Sequence, residues 1–335
     1  MSPSSVLVTG ATGCLGRHLV DSLVHDGLHV RALTQQSSKT NHLDQLGVEV
    51  QRGSLVEQND LERAVQGVDT VFHLGGLVLD DRPDDTSEAL WKEIERFNVE
   101  GTERLARAAA SAGAQRFVFC SSVRLFGFGN QLLWDEDDPR TPSDLYSRGK
   151  AHAEAALLRV GQETGLEVVH IRPRFIYGNH DRYVMPQLVR TARRGVLPLP
   201  GGGQSIWGVV YVKDCVQALR LAAERPVAGQ AFNITSGECL SLRDILTEVA
   251  RALGRPLRIV SVPMPAVTAL AAAVEIGARA AGRRPPLSRA LLRWRLNDHH
   301  FSIARARRDL GYTPRYRLPE ALREIDLKQF LAYGG

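Results

Sequence analysis

The feature that most constrains the fold is a regular alternation of short apolar runs with helical stretches over residues 5–172. Near-continuous apolar runs are typical of strands that are buried on both faces of a parallel sheet. The helical stretches between them supply the right-handed crossovers that parallel strands need. The sequence therefore predicts an α/β fold with a doubly wound parallel (Rossmann) sheet, whose ligands bind beyond the carboxyl ends of the strands. The predicted strands are residues 5–8, 29–33, 48–50, 70–74, 116–122 and 167–172, and the predicted helices are residues 15–25, 61–65, 88–112 and 146–164.

The second part of the chain follows a different pattern. Proline and glycine become frequent after Arg172, and the strict alternation of strands and helices stops. Such punctuation is typical of loops and of shorter, irregular elements. We therefore expect a dinucleotide-binding Rossmann domain over residues 1–172 and, over residues 173–335, mainly a substrate-binding lobe interleaved with the last strands of the sheet. Further elements are predicted at residues 209–212, 214–224, 232–234, 242–253 and 258–262.

Charge and composition argue against several classes of protein. The formal net charge is +5, but basic residues are interleaved with acidic ones, whereas a nucleic-acid footprint needs clustered positive charge. None of the four cysteines forms a CxxC pair, which disfavours a zinc or disulfide framework. No run of about 18 apolar residues occurs, so we expect no transmembrane helix. The first strand leaves no room for a signal peptide before it, and the expectation is a cytoplasmic protein.

A glycine-rich turn joins the first strand to the first helix. Gly10, Gly13 and Gly16 recur with the spacing Gly-x-x-Gly-x-x-Gly. Gly10 permits a sharp turn, Gly13 lets backbone N–H groups approach a pyrophosphate, and Gly16 allows close packing of the helix. The helix N-terminus then offers unpaired donors to the phosphates, so the turn predicts a dinucleotide site. The other residues expected in this turn's contact with the cofactor are Thr12, Cys14 and Leu15.

The choice between NAD(H) and NADP(H) is predicted from the end of the second strand. An acidic residue there would accept a hydrogen bond from the ribose 2′-hydroxyl and repel a 2′-phosphate. Thr34 occupies this position, and residues 35–39 contain no acid. Since nothing repels a phosphate, NADP(H) is favoured over NAD(H), with Arg17, Arg31 or Lys39 as candidate partners of the phosphate.

A tyrosine and a lysine four residues apart open the predicted helix at residues 146–164. At this spacing the side chains of Tyr146 and Lys150 share one face of the helix. A free tyrosine has a pKa near 10 and is a poor base at neutral pH, but a nearby ammonium group favours the phenolate. The pair can therefore exchange a proton with a substrate oxygen while a nicotinamide ring carries the hydride.

Together these motifs resemble those of the extended short-chain dehydrogenase/reductase superfamily, over nearly the whole chain. The resemblance implies that Ser122, at the end of the fifth strand, orients the substrate oxygen, with Ser121 as the alternative. It assigns proton transfer to Tyr146, and it gives Lys150 the tasks of tuning that tyrosine and holding the nicotinamide ribose. Ser54 replaces the family's usual aspartate beside the adenine. The cofactor contacts implied by matching motifs are Ser54, Leu55, Leu74, Gly75, Gly76, Asn98, Tyr146, Lys150, Arg172 and Pro173.

Departures from the superfamily's sugar-nucleotide enzymes indicate the kind of substrate. Val123 and Arg124, which we expect to contact the substrate together with Trp207, stand where the dehydratases carry an Asp-Glu pair, so the acid/base pair for dehydration is missing from this motif. Trp207 stands where epimerases and dehydratases often carry an arginine that clamps the diphosphate. An indole in place of that arginine favours an apolar substrate. The alternative role for Trp207 is packing alone.

The last third of the chain resembles the 3β-hydroxysteroid dehydrogenase-like branch of the superfamily. The resemblance rests on residues 172–178, 263–289 and 300–312, and it implies a substrate contact from Phe175. It also implies an enzyme that interconverts a 3-oxo and a 3-hydroxy group on a lipid-like, steroid-like or polyketide-like molecule. We expect the Ala-rich residues 263–282 to form an apolar helix that lines a substrate pocket or the core, with a peripheral membrane contact as the alternative.

Two other functions remain open from the sequence. One is a sugar-nucleotide epimerase that oxidises its substrate transiently with bound NAD. The other is a non-catalytic NADP-binding redox sensor, although such proteins usually lack the tyrosine–lysine pair. We expect a homodimer through the helices at residues 88–112 and 146–164, which is common in the superfamily. We expect no metal, because His299 and His300 are adjacent on an extended segment and point to opposite faces.

Overall fold

The computed structural model of the chain describes residues 4–78, 86–127, 133–281, 289, 292, 296 and 300–331. The strands in these ranges are β1 (Ser5–Thr9), β2 (His29–Thr34), β3 (Glu49–Arg52), β4 (Thr70–His73), β5 (Arg116–Cys120), β6 (Glu167–Pro173), β7 (Ile176–Tyr177), β8 (Val196–Pro200), β9 (Val210–Tyr211), β10 (Ala231–Ile234) and β11 (Arg258–Val262). The helices are α1 (Cys14–His25), α2 (Asn41–Gln45), α3 (Gln58–Ala64), α4 (Glu88–Ile94), α5 (Gly101–Ser111), α6 (Leu145–Thr164), α7 (Val184–Ala192), α8 (Val212–Glu224), α9 (Leu242–Ala252), α10 (Met264–Ala280) and α11 (Leu318–Glu324). A π-helical turn over Glu95–Glu100 joins α4 and α5 into one continuous helix.

Seven of these strands form one parallel sheet in the order β10-β6-β5-β4-β1-β2-β3. The prediction of a doubly wound parallel sheet is thereby confirmed. Strands β2 and β3 lie on one side of β1, and β4, β5 and β6 lie on the other, so the chain order reverses between β1 and β4. Sheets of this kind bind their ligands in the crevice at such a reversal, beyond the carboxyl ends of the strands.

Both faces of the sheet are buried, as its continuous apolar strands predict. Along β1, Val6 and Val8 belong to one apolar cluster with Leu19 of α1, and Leu7 belongs to the opposite cluster with Leu105 of α5. Neighbouring residues of a strand point to opposite faces, so one strand contributes to both clusters. Each side chain of this size that is fully buried stabilises the fold by about 1.5–3 kcal/mol.

Strand β10 completes the sheet beside β6. It comes from residues 231–234, beyond the predicted domain boundary, and Phe232 stands opposite Ile171 in the parallel register. Two further pairs of parallel strands, β7 with β9 and β8 with β11, lie outside the main sheet. The division into residues 1–172 and 173–335 stays a prediction.

Helix α10 forms where the Ala-rich sequence predicts a helix, but it lies at the surface. Among its described residues only Ala271 and Glu275 are buried, and none of the residues of α10 lines the cleft at the carboxyl ends of the strands. The prediction that this segment lines an apolar pocket or the core is therefore wrong. The physical reason is its position, since α10 follows β11, which stands outside the main sheet and is itself largely exposed.

Candidate active site

A cleft of about 460 Å³ opens at the carboxyl ends of the central strands. Thr9, Thr34, Leu74, Cys120 and Pro173 line it, and they come from the ends of β1, β2, β4, β5 and β6 respectively. The cleft therefore spans the reversal of chain order between β1 and β4. This is where doubly wound sheets bind dinucleotides.

The glycine-rich turn forms one wall of the cleft. Gly10 has φ +72°, in the region that favours glycine, and a Cβ atom there would lie 2.9 Å from the backbone nitrogen of Gly75. A Cβ atom on Gly16 would lie 2.1 Å from the carbonyl oxygen of Gly10, so α1 packs directly against the turn. A Cβ atom on Gly13 would meet only that oxygen, at 3.3 Å, and the space beside it is open.

The start of α1 suits a phosphate group. The N-cap residue is Gly13, and no side chain caps the helix there. The first N–H groups of a helix have no partners within it, so they remain available to an anion in the cleft. Together with the open space at Gly13, this arrangement fits the diphosphate of a dinucleotide, and Thr12, Cys14 and Leu15 line the same wall.

The end of β2 suits a ribose. Thr34 is only 5% exposed, and within the described ranges its hydroxyl has no hydrogen-bond partner. A buried hydroxyl without a partner costs about 1–3 kcal/mol, which a ribose hydroxyl in the cleft would offset. Gln35 and Ser38 line the cleft beside it. Arg52 fixes this segment, because its Nη1 donates to the carbonyl oxygens of Gln35 and Ser38 at 2.9 and 2.7 Å.

The three basic residues predicted to reach a 2′-phosphate differ in their surroundings. Nη1 of Arg31 donates to the carbonyl oxygens of Ala64 and Gln66, at 2.9 and 2.7 Å, so this guanidinium is engaged away from the cleft. Lys39 is exposed and Arg17 is half-buried. None of the three lines the cleft.

A buried histidine connects the ends of β1 and β4 to the long helix. Nδ1 of His73 lies 2.7 Å from Oγ1 of Thr9, and its Nε2 lies 2.8 Å from Oγ1 of Thr102. The Thr9 hydroxyl also accepts a hydrogen bond from the backbone nitrogen of Gly75, at 3.0 Å. Burial lowers the pKa of His73 to about 3, so its ring is neutral.

Two residues predicted to contact the cofactor, Asn98 and Ser54, do not line the cleft. Nδ2 of Asn98 donates to the carbonyl oxygen of Leu77 at 2.9 Å, and its Oδ1 accepts from the nitrogen of Leu77 at 2.7 Å. This pair of bonds holds the segment of Gly76 and Leu77, which does line the cleft. Ser54 also stands outside the lining, and its hydroxyl accepts a hydrogen bond from the backbone of its own loop at 3.3 Å.

Helix α6 begins with a capping box that fixes the first turn. Oδ1 of Asp144 accepts from the nitrogen of Ser147 at 2.8 Å, and Oγ of Ser147 accepts from the nitrogen of Asp144 at 3.1 Å. The other oxygen of Asp144 accepts from Nη2 of Arg124 at 2.9 Å, and both side chains are largely buried. The Arg124 guanidinium lies 5.0 Å from the centre of the Tyr146 ring. The residue that caps the helix therefore also positions a cation beside the phenol.

Lys150 lies beneath the phenol on the same face of α6. Its Nζ donates to the carbonyl oxygen of Cys120 at 2.7 Å and lies 4.5 Å from the centre of the Phe119 ring. The distance from Nζ to the centre of the Tyr146 ring is 5.8 Å. Burial lowers the pKa of Lys150, and the negative charge of Glu154 opposes this change.

Ser122 completes the reaction centre. It lines the cleft together with Tyr146 and Lys150, and its Oγ accepts a hydrogen bond from the nitrogen of Arg124 at 3.2 Å. A hydroxyl that accepts in this way keeps its own hydrogen for a substrate oxygen. Ser121 lines the cleft as well, so the choice between the two serines stays a prediction.

Arg172 and Val123, predicted to contact the cofactor and the substrate, do not line the cleft. Arg172 is fully buried, and its Nε and Nη2 donate to the two carboxylate oxygens of Glu154 at 2.8 and 2.7 Å. Burial raises the pKa of Glu154, but the bonds from Arg172 prevail and lower it to about 2. Val123 packs in an apolar cluster with Phe126 and other buried side chains.

An aromatic pair lies beyond the end of β6. Phe175 lines the cleft, and Trp207, which does not, stacks on the Phe175 ring with the ring centres 4.7 Å apart. Phe175 has φ +32°, an uncommon backbone conformation for a bulky residue that costs about 1–3 kcal/mol. Arg174, a lining residue that sequence reasoning missed, places its guanidinium 3.6 Å from the centre of the Phe175 ring.

Sequence reasoning also missed the wall that precedes α7. His180, Asp181, Arg182 and Tyr183 line the cleft there. The carboxylate of Asp181 accepts hydrogen bonds from the nitrogens of Tyr183 and Met185, at 2.8 and 2.6 Å, and so starts the helix. The sequence signal that could have located this helix start is Asp181, an acidic residue just before an apolar helical stretch.

Two predicted absences concern metals and membranes. In the parts of the chain that the structure describes, no group of three or more His, Cys, Asp or Glu residues is arranged to hold a metal ion. His299 lies outside those parts. The described helices include none that is both long enough and apolar enough to cross a bilayer.

Known proteins resemble this chain in sequence and in fold. Residues 6–235 match the model of the NAD dependent epimerase/dehydratase family. A 4-hydroxy-2-methyl-3-oxo-4-farnesyl-3,4-dihydroquinoline-1-oxide ketoreductase from Stigmatella aurantiaca is 32% identical, over 92% of this chain and 91% of the relative. A 3-beta-hydroxysteroid dehydrogenase from Mycolicibacterium neoaurum is 32% identical, over 95% of this chain and 89% of the relative. The solved UDP-glucose 4-epimerase of Thermotoga maritima superimposes with a TM-score of 0.75 at 22% identity, over 98% of both chains, and shares the fold.

Proposed function

Because the chain belongs to the NAD-dependent epimerase/dehydratase family and is an NAD(P)-dependent oxidoreductase, we propose that it interconverts a ketone and a secondary alcohol on an apolar molecule. The reacting group is a 3-oxo or 3-hydroxy group of a lipid-like, steroid-like or polyketide-like substrate. The observation that carries this proposal is the convergence of Ser122, Tyr146 and Lys150 in one cleft with the glycine-rich turn. The names of the ketoreductase and hydroxysteroid dehydrogenase relatives support the substrate class.

The reaction centre can transfer one proton to the substrate oxygen. When bound, the cofactor supplies or accepts the hydride at its nicotinamide ring. In the reducing direction, the Tyr146 hydroxyl gives its proton to the oxygen of the forming alcohol, and in the oxidising direction the phenolate takes that proton back. The Ser122 hydroxyl donates a hydrogen bond to the same oxygen and holds it in place.

Two cations stabilise the phenolate form of Tyr146. The ammonium of Lys150 is fixed by its bond to the carbonyl oxygen of Cys120, and the guanidinium of Arg124 is fixed by Asp144. A positive charge within about 4–6 Å of an acid favours the charged form of that acid. Once it has given up its proton, the phenolate regains a proton from solvent, which completes the cycle.

NADP(H) is the proposed cofactor in preference to NAD(H). The support is the lack of any acidic residue at Thr34 and over residues 35–39, since a carboxylate there would repel a 2′-phosphate. Arg31 is engaged elsewhere, so Arg17 and Lys39 remain the candidate partners of the phosphate. A homodimer through α4, α5 and α6 is proposed as well, and analytical ultracentrifugation tests it.

A sugar-nucleotide epimerase is the second candidate function, because this chain shares its fold with the solved UDP-glucose 4-epimerase. The Phe175 ring supports the ketoreductase, since it offers an apolar surface to the cleft, whereas the Arg174 guanidinium on that ring favours an anionic substrate such as a sugar nucleotide. A non-catalytic redox sensor is the third candidate, and the full set of Ser122, Tyr146 and Lys150 argues against it.

The test is a scan of 3-keto lipids, steroids and polyketide-like ketones with NADH and NADPH in parallel. We expect stoichiometric consumption of NADPH with at least one apolar ketone. Tyr146→Phe should lower turnover by about 100- to 10,000-fold, the usual contribution of a positioned general acid. Tyr316→Phe, which removes a phenol away from the cleft, is the matched control and should retain activity.

Other outcomes identify the other candidates. Bound NAD that co-purifies and is never consumed, together with interconversion of sugar-nucleotide epimers, would show an epimerase. NADP binding that Tyr146→Phe leaves unchanged, without turnover of any ketone or sugar nucleotide, would show a sensor.

A further inference from the structure

Arg174 places a guanidinium at the wall of the cleft, and the proton transfer proposed above does not use it. The residue lines the cleft and is only 3% exposed. Its guanidinium lies 3.6 Å from the centre of the Phe175 ring, so one flat face of the cation is covered by that ring. A guanidinium donates its hydrogen bonds in its own plane, and stacking on a ring does not use those donors. The arrangement is suited to recognition of a planar anion.

The backbone holds this cation in a fixed place. The nitrogen of Arg174 donates to the carbonyl oxygen of Ile234 at 3.2 Å, and the carbonyl oxygen of Phe175 accepts from the nitrogen of Val210 at 3.3 Å. Trp207 stacks on the Phe175 ring as well. Phe175 has φ +32°, and strained residues of this kind cluster at ligand-binding sites. The surrounding structure thus fixes a strained backbone beside the guanidinium.

The order of the strands places Arg174 near the reaction centre. Arg174 directly follows β6 and Ser122 lies two residues beyond β5, and these two strands are neighbours, with Ile171 opposite Cys120. Neighbouring strands lie about 4.8 Å apart. The glycine-rich turn follows β1, which is three strands away from β6, or about 14 Å across the sheet. The cation therefore stands at the Ser122 end of the cleft, away from the wall that suits the diphosphate.

The other charged residues that line the described part of the cleft have tasks of their own. Arg124 and Lys150 are held beside the phenol by the hydrogen bonds described above. Asp181, the one acid among the described lining residues, starts α7 through its bonds to backbone nitrogens. Arg182 is exposed, so water screens its charge. Arg174 is therefore the buried cation of the lining that the proposed reaction leaves without a role.

We propose that Arg174 binds the carboxylate of an oxo acid, an apolar ketone whose keto group reacts at Ser122 and Tyr146. A guanidinium and a carboxylate form two parallel hydrogen bonds, a geometry that only arginine provides among the side chains. In a 3-oxo acid the carboxylate is one carbon away from the ketone, which suits binding groups on adjacent strands. The Phe175 ring is available to the alkyl chain. The identity of the reacting group rests on the proposed function, whereas the carboxylate site does not.

A diphosphate suits this position less well than a carboxylate does. It carries two charged groups, whereas the lining residues adjacent to Arg174 in the chain are Pro173, Phe175 and Ile176, which are apolar. Polar groups that lose water without gaining partners weaken binding. One guanidinium among apolar side chains therefore matches a single carboxylate on an apolar molecule.

Kinetics with a matched pair of ketones test the proposal. With NADPH, the wild type should reduce 3-oxooctanoate with a kcat/KM at least about tenfold above that for methyl 3-oxooctanoate, which lacks the charge. Arg174→Met should lower kcat/KM for the acid by about 10- to 100-fold, because charge-assisted hydrogen bonds are lost, and that for the ester by less than about threefold. Arg174→Lys keeps the charge without the fork and should fall between the wild type and Arg174→Met.

Arg148→Met is the matched control. The Arg148 guanidinium lies 3.9 Å from the centre of the Trp91 ring, but the residue is exposed and does not line the cleft. This variant should keep the wild-type ratio of acid to ester. Calorimetric titration of octanoate into the chain with NADP⁺ or NAD⁺ bound gives a second readout that needs no turnover, and Arg174→Met should raise the octanoate Kd by at least about tenfold.

Several results would overturn the carboxylate site. One is an equal kcat/KM for acid and ester in the wild type, and another is an equal loss on both substrates in Arg174→Met, which would show a structural role. A higher cofactor Kd in that variant, with the acid-to-ester ratio unchanged, would assign the guanidinium to the cofactor. Arg174-dependent binding of UDP-glucose, without binding of octanoate, would assign it to a sugar nucleotide. If no ketone is reduced but octanoate binding depends on Arg174, the proposed function fails and the carboxylate site stands.

Discussion

Nε2 of His73 lies 2.8 Å from the hydroxyl oxygen of Thr102, and that hydroxyl donates its only hydrogen to the backbone oxygen of Asn98. Thr102 must therefore accept from His73, which places the ring proton on Nε2 and leaves Nδ1 to accept from Thr9. All these hydrogen bonds run in one direction, from the end of β1 to the residue that holds the backbone of Leu77. The neutral histidine thus couples the end of β1, beside the glycine-rich turn, to the segment of Gly76 and Leu77.

Removing the Thr102 hydroxyl should weaken cofactor binding more than it slows the chemical step. Thr102→Val leaves Nε2 of His73 without its acceptor, which costs about 1–3 kcal/mol and loosens the segment that Asn98 holds. We expect the KM for NADPH to rise by about fivefold to tenfold while kcat changes by less than about twofold. Steady-state kinetics with varied cofactor measure both.

The matched control is Thr247→Val. Its hydroxyl donates to the carbonyl oxygen of Arg243 at 2.8 Å, four residues earlier in the chain, as the Thr102 hydroxyl donates to that of Asn98, but Thr247 is exposed. It should leave KM unchanged. If Thr102→Val lowered the melting temperature without raising KM, the coupling would be structural only.

Alanine substitutions at two glycines of the turn should have different effects, one mainly on stability and the other mainly on cofactor binding. In Gly16→Ala the new methyl group lies 2.1 Å from the Gly10 oxygen, so the helix must move, and we expect a loss of about 3 kcal/mol or more of stability. In Gly13→Ala the nearest contact is 3.3 Å, so the fold should tolerate the methyl group while the cofactor Kd rises by at least about tenfold. Thermal unfolding and cofactor titration measure the two effects.

Gly277→Ala is the control for both glycine variants. A methyl group there meets no atom within 4 Å, so it should stabilise α10 by about 0.5–1 kcal/mol and leave the cofactor Kd unchanged. The open space at Gly13 would have no special role if Gly13→Ala raised the cofactor Kd only in proportion to its loss of stability, as Gly16→Ala does.

A carboxylate at the end of β2 should reverse the proposed cofactor preference. Thr34→Asp places a negative charge beside the ribose, so kcat/KM with NADPH should fall by at least about tenfold relative to that with NADH. Thr34→Val removes the same hydroxyl without adding charge and should lower both values alike. A wild-type enzyme that already prefers NADH would refute the assignment of NADP(H).

Two buried histidines should make the fold sensitive to mild acid. Burial lowers the pKa of His73 to about 3 and the pKa of His170 to about 4, whereas an unfolded histidine titrates near 6.5. Below pH 6.5 the unfolded chain therefore binds protons that the fold excludes, and stability is lost as the pH falls. Between pH 7 and pH 5, each of these histidines should lower the free energy of unfolding by about 2 kcal/mol.

Urea unfolding at pH 7 and at pH 5 measures this loss. His170→Phe should reduce the difference between the two pH values, since within the described residues neither ring nitrogen of His170 has a hydrogen-bond partner to lose. His25→Asn, which replaces an exposed histidine of α1, should leave the difference unchanged. If the wild type, His170→Phe and His25→Asn all lost the same unfolding free energy between pH 7 and pH 5, groups other than His170 would govern the response to acid.

The sheet could be predicted from residues close in sequence, and so could the shared helix face of Tyr146 and Lys150, whereas Ser122 was assigned only from the family resemblance. A strand buried on both faces needs a continuous apolar run, and the phosphate-binding turn needs glycines at fixed spacing. Tyr146 and Lys150 share a face of α6 because of helix geometry alone. No tertiary knowledge enters these inferences.

Other residues depend on contacts that the sequence does not display. Arg172 stands one residue before a lining residue, yet it pairs with Glu154 on the α6 side of the sheet, and only the fold shows which side it faces. The wall of residues 180–183 is a loop without periodicity. For α10, composition indicates an apolar helix but does not indicate whether protein or solvent covers it.

The order of the strands determines when the sheet of a newly made chain can be completed. The other six strands all lie before residue 174, whereas β10, which pairs with the β6 edge, spans residues 231–234. The ribosome adds about 5–20 residues each second, so the unpaired edge of β6 stays open for roughly 3–12 s after β6 has been made. During that interval the nascent chain presents free backbone donors and acceptors to its neighbours, which makes β6 a temporary edge strand that is open to misassembly.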